Sequence, residues 1–167
     1  MSTPTDRPLD AIGLARSGIL VEREFEFARL GRLRDRLADA AGRAQARAEF
    51  QLVGEWPVAA LDVAAVLTLE CQRCLGPMRH EIDTQSRLVF AGTERAGLPE
   101  GYEPVEGDPH RIDLAALVED ELLLGLPIIP QHAQGEACTL PWNGRAAGQG
   151  GTETRRPFAG LRDLLKH

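Results

Sequence analysis

Three cysteines and a histidine are the residues of this 167-residue chain whose types and spacing suit metal or redox chemistry. Cys71 and Cys74 stand three positions apart in the stretch CQRC, and His132 precedes Cys138 by six positions. Two thiolates at the tip of a β-hairpin can bind one ion, and tetrahedral Zn²⁺ then needs two further nitrogen or sulfur ligands. His132 and Cys138 complete a Cys₃His set if the chain returns to the hairpin tip. The pattern therefore indicates either one structural zinc or a metal-free turn.

Redox chemistry is the third interpretation of the same cysteine pair. A thioredoxin-type pair lies at the start of a helix, whose dipole lowers the pKa of the first thiol. Here Leu75-Gly76-Pro77 follows Cys74 directly and blocks such a helix. The spacing thus disfavours a redox pair. A small metal-dependent or redox enzyme that uses the cysteine hairpin remains the alternative to a binding protein.

Arginines form a second group of candidate functional residues. Residues 29–47 carry six arginines and two aspartates, a local net charge of +4 in a chain of net charge −6. Within a predicted helix, three of these arginines share one face and a fourth lies just beyond it: Arg29, Arg32, Arg36 and Arg43. The stripe indicates either contact with RNA phosphates or an ordinary solvated helix face, and the latter is favoured.

Acidic residues dominate the opposite half of the chain. Residues 81–121 carry eleven acidic and three basic residues, a net charge of −8. Glu119, Asp120 and Glu121 are consecutive, and successive residues of a helix point about 100° apart, so they cannot converge on one ion. Glu121 is predicted to be partly covered, and the other two to face solvent. The three residues are a candidate face for a basic protein partner.

Alternation of apolar and polar residues predicts the elements that must position these groups. The clearest example is AQARAEFQLVGE, in which every second residue is apolar. One buried and one wet face are typical of an antiparallel sheet. Strands are predicted near 19–27 and over 44–55, 63–72 and 78–90. The last two flank CQRCLGP, which places Cys71 and Cys74 at the tip of a hairpin.

Two helices of moderate length are predicted beside this sheet. Residues 28–40 place Leu30, Leu33 and Leu37 on one stripe, with Gly42 as a stop. Residues 113–125 form the other, with Asp113 as its N-cap and Gly125 at its end. A long loop over 91–111 joins this helix to the last strand. The predicted fold class is α+β, with one antiparallel sheet of meander or barrel-like form.

The domain organisation follows from these elements and from composition. A chain of this length can bury a substantial core. Residues 1–142 are predicted to form one domain, whose first segment, 1–17, is flexible. The Gly-rich stretch 143–156 is predicted to be a linker, and 157–167 a short C-terminal helix that docks through Phe158 and several leucines.

Other functional classes receive little support from the sequence. No apolar run approaches the roughly 18 residues of a membrane span, and the first twenty residues do not resemble a secretory signal. The protein is therefore expected in the cytoplasm. No serine-hydrolase, P-loop or HExxH motif is present, and no nucleophile is paired with a base, so a non-enzyme is expected.

Several stretches in a fixed order resemble the bacterial YceD family, the large ribosomal RNA subunit accumulation proteins. These stretches are LTLECQRCLGPMRHEI, LPEGYEPVE, IDLAALVEDELLLGLPIIPQH, EAC and, after a Gly-rich gap, RPFAGLRDLL. The resemblance covers about residues 60–167. Some members carry further cysteines in the segment that matches 131–144. This chain keeps Cys138 but has Pro141, Trp142 and Asn143 where a second thiol pair would fall.

The resemblance implies a ribosome-biogenesis factor needed for accumulation of the large-subunit (23S) ribosomal RNA. It implies a cytoplasmic non-enzyme. The partners to be expected are a precursor of the large subunit, a ribosomal protein or an RNA-processing enzyme, with RNA contact as an open question.

Overall fold

The computed structural model describes residues 7–94, 96–133 and 138, which form an α+β fold. The strands are β1 (Leu20–Glu26), β2 (Arg43–Val53), β3 (Trp56–Glu70), β4 (Pro77–Val89) and β5 (Glu103–Pro104). The α-helices are α1 (Ala11–Ser17), α2 (Gly31–Arg34) and α3 (Leu114–Leu124). None of these helices is long and apolar enough to cross a membrane.

The strands form one open sheet in the order β1-β2-β3-β4-β5. Strands β1 to β4 are an antiparallel meander, whereas the two-residue β5 pairs parallel to β4. The predicted antiparallel meander is thus confirmed for the first four strands. In the part of the chain described, the sheet is open rather than closed into a barrel, because β1 pairs only with β2 and β5 only with β4.

The hydrophobic core lies on one face of this sheet. In β2, Ala44, Ala46, Ala48 and Phe50 are buried and alternate with exposed polar residues. The ring of Phe50 stacks on that of Phe90, with 5.8 Å between the ring centroids. Helices α1 and α3 pack on the same side of the sheet as these residues. The opposite face carries the charged residues of the alternating pattern.

Strands β3 and β4 form the long hairpin that positions the cysteines. Their pairing runs from Val58 opposite Val89 to Glu70 opposite Pro77, so Cys71 to Gly76 make the turn. Strand β3 begins at Trp56, seven residues before the predicted start. Pro57, Val58 and Ala59 are buried in succession, which hides the two-residue period on which that prediction depended.

The helix predicted over 28–40 is wrong in length. The structure has a single 3₁₀ turn at Phe27–Arg29 and then the four-residue helix α2. After this point the chain turns to the sheet, where the N–H of Ala38 donates to the carbonyl of Thr68 at 2.8 Å and Asp39 forms a bridge with the same residue. These tertiary hydrogen bonds override a helical pattern that begins with a glycine and has no side-chain cap.

Within the segment 1–17, which was predicted to be flexible, residues Ala11–Ser17 form helix α1. Asp10 caps this helix by accepting the N–H of Gly13 at 3.1 Å, and Gly18, at φ +60°, ends it. Ala11 and Ala15 are buried against β2 and β3. The N–H of Leu9 also donates to the carbonyl of Ile112 at 2.8 Å, and Ile112 returns the bond at the same distance. Backbone pairing and small buried side chains therefore fix this segment.

Helix α3 agrees with its predicted bounds. Asp113 accepts the N–H groups of Ala115 and Ala116 at 2.9 and 3.3 Å, and Gly125 is the C-cap. The Nε2–H of His80 donates to the carbonyl of Gly125 at 3.0 Å. A hydrogen-bonded histidine of this kind is structural.

Loss of the Asp113 cap is expected to destabilise α3 moderately. Asp113→Ala leaves two N–H groups of the first helical turn without their acceptor, which costs about 1 kcal/mol of unfolding free energy. Asp113→Ser retains a hydroxyl acceptor and is the matched control. Urea denaturation of both variants measures the difference, and equal destabilisation by Ala and Ser would contradict the capping role.

The predicted linker at 143–156 and the C-terminal helix at 157–167 lie outside the described residues. So does most of the segment that precedes the linker. These two assignments remain predictions.

Candidate metal centre

The turn between β3 and β4 aims two thiols at one point. The N–H of Cys71 donates to the carbonyl of Gly76 at 2.9 Å, and the N–H of Leu75 donates to the carbonyl of Cys71 at 2.8 Å. Leu75 adopts a left-handed conformation at φ +58°, which is uncommon for a residue with a Cβ atom. The turn is therefore held tightly enough to fix a strained residue beside Cys74.

The segment after α3 supplies the histidine. The N–H of Gln72 donates to the carbonyl of Pro130 at 2.8 Å, which anchors this segment to the hairpin tip. His132 follows two residues later, and its Nε2–H donates to the carbonyl of Pro77 at 3.2 Å. The chain thus returns to the hairpin tip, as the Cys₃His hypothesis requires.

The four predicted ligand residues lie together. The Sγ atoms of Cys71 and Cys138 are 3.8 Å apart, and the Sγ of Cys74 is 3.5 Å from Nδ1 of His132. All four ligand atoms lie within 4.8 Å of one another. For tetrahedral Zn²⁺ the standard bond lengths place two sulfurs about 3.8 Å apart, and a sulfur and a nitrogen about 3.5 Å apart. The group can therefore hold a metal ion.

The tautomer of His132 suits metal coordination. Nε2 faces a carbonyl oxygen, so it carries the proton, and Nδ1 is left with a free lone pair toward Cys74. Histidine ligands in metalloproteins commonly donate their second ring N–H to such an oxygen, which fixes the ring and strengthens the ligand. The contact with Pro77 thus orients His132 so that its Nδ1 could bind an ion.

Backbone N–H groups stabilise a thiolate at Cys71. Burial acts to raise the pKa of this thiol, but the N–H groups of Cys74, His132 and Arg73 outweigh burial and lower the pKa to about 5. Metals bind the thiolate rather than the thiol. The turn therefore prepares Cys71 as a ligand.

The cysteines also shift the pKa values of the other groups in the cluster. The N–H of Gly76 acts to lower the pKa of Cys74, but burial and the thiols of Cys138 and Cys71 raise it overall. The thiols of Cys138 and Cys71 raise the pKa of His132. The Nε–H of Arg73 donates to the Sγ of Cys138 at 3.1 Å, and this contact raises the pKa of the guanidinium. Arg73 thus places a positive charge directly against Cys138.

Burial of the cluster favours a structural role over a catalytic one. Cys71 has no exposed surface, and Cys74 and Cys138 are half-buried. Four protein ligands fill a tetrahedral zinc ion, whereas catalytic zinc keeps a position open for water or substrate. A metal held here would join the hairpin tip to the segment that follows α3.

The predicted arginine stripe and acidic face meet each other at Arg32. Its Nε donates to Glu119 at 2.9 Å, and its Nη1 donates to Asp120 at 2.7 Å. Glu119 also accepts the backbone N–H groups of Arg32 and Leu33, at 2.7 and 3.1 Å.

Glu119 is only 8% exposed, so the prediction that it faces solvent is wrong. Asp120 is exposed as predicted, and Glu121 is half-buried and accepts the Ser86 hydroxyl at 2.8 Å.

The three arginines predicted to share a helix face, Arg29, Arg32 and Arg36, do not lie on one helix. Arg29 ends the 3₁₀ turn, Arg36 follows α2, and Arg43 begins β2, where it pairs with Glu24 at 2.7 Å. Sequence reasoning missed the contact between Arg32 and Glu119. One signal was available, because Glu119 lies on the stripe of α3 formed by the buried residues Val118 and Leu122.

Comparison with known proteins agrees with the resemblance in the motifs. A model of the family described as "Large ribosomal RNA subunit accumulation protein YceD" matches residues 59–165, well over half of the chain. The chain belongs to the YceD family. The matched range contains all four residues of the candidate metal centre, whereas the four arginines precede it.

A relative in the YceD family supports this assignment over a shorter range. The chain is similar to the "Large ribosomal RNA subunit accumulation protein YceD" of Haemophilus influenzae, with 41% identity over 75 residues. This match spans 43% of the chain and 42% of the relative, less than half of either protein. No solved structure matches the chain.

Proposed function

We propose that this YceD-family protein is a cytoplasmic ribosome-biogenesis factor that supports accumulation of 23S ribosomal RNA. The observation that carries the proposal is the family match over residues 59–165, together with the printed name of the Haemophilus relative. The protein acts by binding rather than by catalysis. Its partner is a precursor of the large subunit, a ribosomal protein or an RNA-processing enzyme.

The proposed cofactor is one structural zinc ion held by Cys71, Cys74, His132 and Cys138. The Sγ–Sγ separation of 3.8 Å, the Sγ–Nδ1 separation of 3.5 Å and the orientation of His132 support this set. Bound zinc would supply a rigid link between the β3–β4 hairpin and the segment after α3. It would not need to contact a substrate.

Direct contact with RNA is the weaker part of the proposal. Arg29 and Arg36 are exposed, but Arg32 and Arg43 bind carboxylates of the protein itself. Pairing of this kind lowers the charge available to phosphates. We therefore favour a protein partner over a bare RNA.

A genetic complementation experiment tests the proposed function. Deletion of the gene from its source cell is expected to lower the ratio of 23S to 16S ribosomal RNA, and a plasmid copy of the wild-type gene to restore it. The protein is also expected to co-sediment with large-subunit precursors, or with a factor that binds them, at physiological salt. An unchanged ratio in the deletion strain would contradict the proposal.

One observation favours the alternative of a Cys-dependent enzyme, namely the lowered pKa of Cys71, about 5. Its lack of exposed surface argues against this alternative, because no substrate can reach the sulfur. The variant Cys74→His separates the two hypotheses, since it retains a metal ligand but removes the thiol pair. Rescue of the deletion strain by this variant supports a binding protein. Failure of rescue with metal content and fold preserved would support the enzyme.

A further inference from the structure

We propose that the groove between α3 and residues 103–113 binds a basic, partly apolar peptide segment of a protein partner. The groove has a volume of about 510 Å³. One wall is the exposed side of α3, and the other is the chain from Glu103 to Asp113. This inference rests on the proposed function for the nature of the partner, but the groove can be tested without ribosomes.

Carboxylates set the charge of the groove. Six acidic residues line it and Arg111 is its one basic lining residue: Glu103, Glu106, Asp108, Asp113, Asp120 and Glu121. Arg32, from outside the groove, pairs with Asp120 and offsets one of these charges. Five of the six are exposed and Glu121 is half-buried. The remaining excess of negative charge favours lysine and arginine side chains and repels RNA phosphates.

Apolar side chains give the groove a second kind of contact. Leu124, in the last turn of α3, is 79% exposed, and Val105 and Leu117 are half-buried. Large apolar residues within an acidic rim suit a peptide whose basic residues alternate with apolar ones. A bare cation would gain nothing from contact with these apolar side chains.

A neighbouring groove extends the surface toward β4. It shares Glu103, Glu121 and Leu124 with the first groove, and Thr84 forms part of its lining. In the part of the chain that the structure describes, Thr84 Oγ1 is the one buried side-chain polar atom without a hydrogen-bond partner.

A divalent cation is the main competing ligand for acidic residues, and the geometry disfavours it. Across residues 7–94, 96–133 and 138, the Cys71 cluster is the one group of potential ligand atoms close enough to hold a metal. The groove carboxylates are therefore spread too far apart to share an ion. A peptide, which places successive charges several ångströms apart, matches them better.

Binding of a synthetic peptide to the full-length protein tests the inference. The probe is a fluorescent decapeptide of alternating lysine and leucine, with its glutamate–leucine counterpart as a negative control. The double variant Glu103→Lys/Glu106→Lys is expected to weaken binding of the basic peptide by about tenfold at low salt. The variant Leu124→Ser is expected to weaken it by a smaller factor.

Glu49→Lys/Glu55→Lys is the matched control, because both residues are exposed and lie on or next to the opposite part of the sheet. It makes the same change in net charge, and it should leave affinity within about twofold. Equal weakening by the two double variants, or no weakening by either, would overturn the inference. Binding of an oligouridylate in the groove, lost in the groove variant, would also overturn it.

The deletion strain distinguishes this inference from the proposed function. If the groove variant loses both peptide binding and restoration of the 23S ribosomal RNA ratio, both hold. If peptide binding depends on the groove but deletion leaves that ratio unchanged, the groove assignment holds and the proposed function fails. If deletion lowers the ratio and the groove variant restores it fully, the function holds and the groove assignment fails.

Discussion

Cys74→Ser is expected to lose one equivalent of bound zinc and to lower the melting temperature of the protein by about 10 °C. The fall follows from linkage between binding and folding. A zinc concentration a thousandfold above the dissociation constant stabilises the folded chain by about 4 kcal/mol, if the ion binds only the folded state. In a chain of this size, a loss of that order shifts the midpoint by roughly 8–16 °C. Loss of one thiolate also leaves only three of the four ligands that tetrahedral zinc requires.

Elemental analysis of protein purified without chelator measures the metal, and a thermal scan measures the midpoint. A chelator should lower the midpoint of the wild type and leave that of Cys74→Ser unchanged. His132→Ala should behave like Cys74→Ser, whereas His110→Ala is the matched control, because His110 is exposed and pairs with Asp10 rather than with the cysteines. Wild-type protein that neither contains nor takes up zinc would contradict the prediction.

The candidate metal centre could be predicted because its chemistry depends on residue types that are rare in this chain. With three cysteines, a tight turn between two alternating strands and three histidines upstream of Cys138, of which His132 is the nearest, few ligand sets are possible. The sequence does not establish that the segment after α3 returns to the hairpin. That return depends on the hydrogen bond from Gln72 to Pro130, a contact between residues 58 positions apart.

Strands were predicted better than helices, for a physical reason. The alternation in β2 reflects one buried and one wet face, a local pattern that survives in the fold. The leucine spacing over 28–40 was equally regular, but pairing of Ala38 and Asp39 with Thr68 ends the helix early. Long-range backbone hydrogen bonds of this kind leave no periodic signal in the sequence.

The partners of Glu119 were beyond prediction for the same reason. Its place on the buried stripe of α3 indicates that it is covered, but nothing local reveals which N–H groups lie opposite it. Here the partner groups come from Arg32 and Leu33, 87 and 86 positions away. Helix α2 has four residues and no side-chain cap of its own, so α3 supplies the acceptor that its first turn lacks.

Glu119→Ala is expected to lower the free energy of unfolding by about 2–3 kcal/mol. The change removes the acceptor of two backbone N–H groups, one of them buried, and each unsatisfied buried donor costs about 1–3 kcal/mol. Glu119→Gln retains one carbonyl oxygen in nearly the same shape and should lose less. Urea denaturation measures the free energy of unfolding of the wild type, Glu119→Ala and Glu119→Gln, provided that the three m-values agree.

Asp120→Ala is the control that separates capping from simple ion pairing. Asp120 bonds the same guanidinium as Glu119, at 2.7 Å, but its side chain is 53% exposed and it accepts no backbone N–H from α2. An exposed ion pair contributes little to stability because water and salt screen it. If the two alanine variants are equally stable, Glu119 acts only as a charge. If Glu119→Ala is clearly the less stable, Glu119 of α3 anchors α2 by accepting backbone N–H groups of α2. This acidic residue of α3 then stabilises the fold and is not simply a charge for a partner.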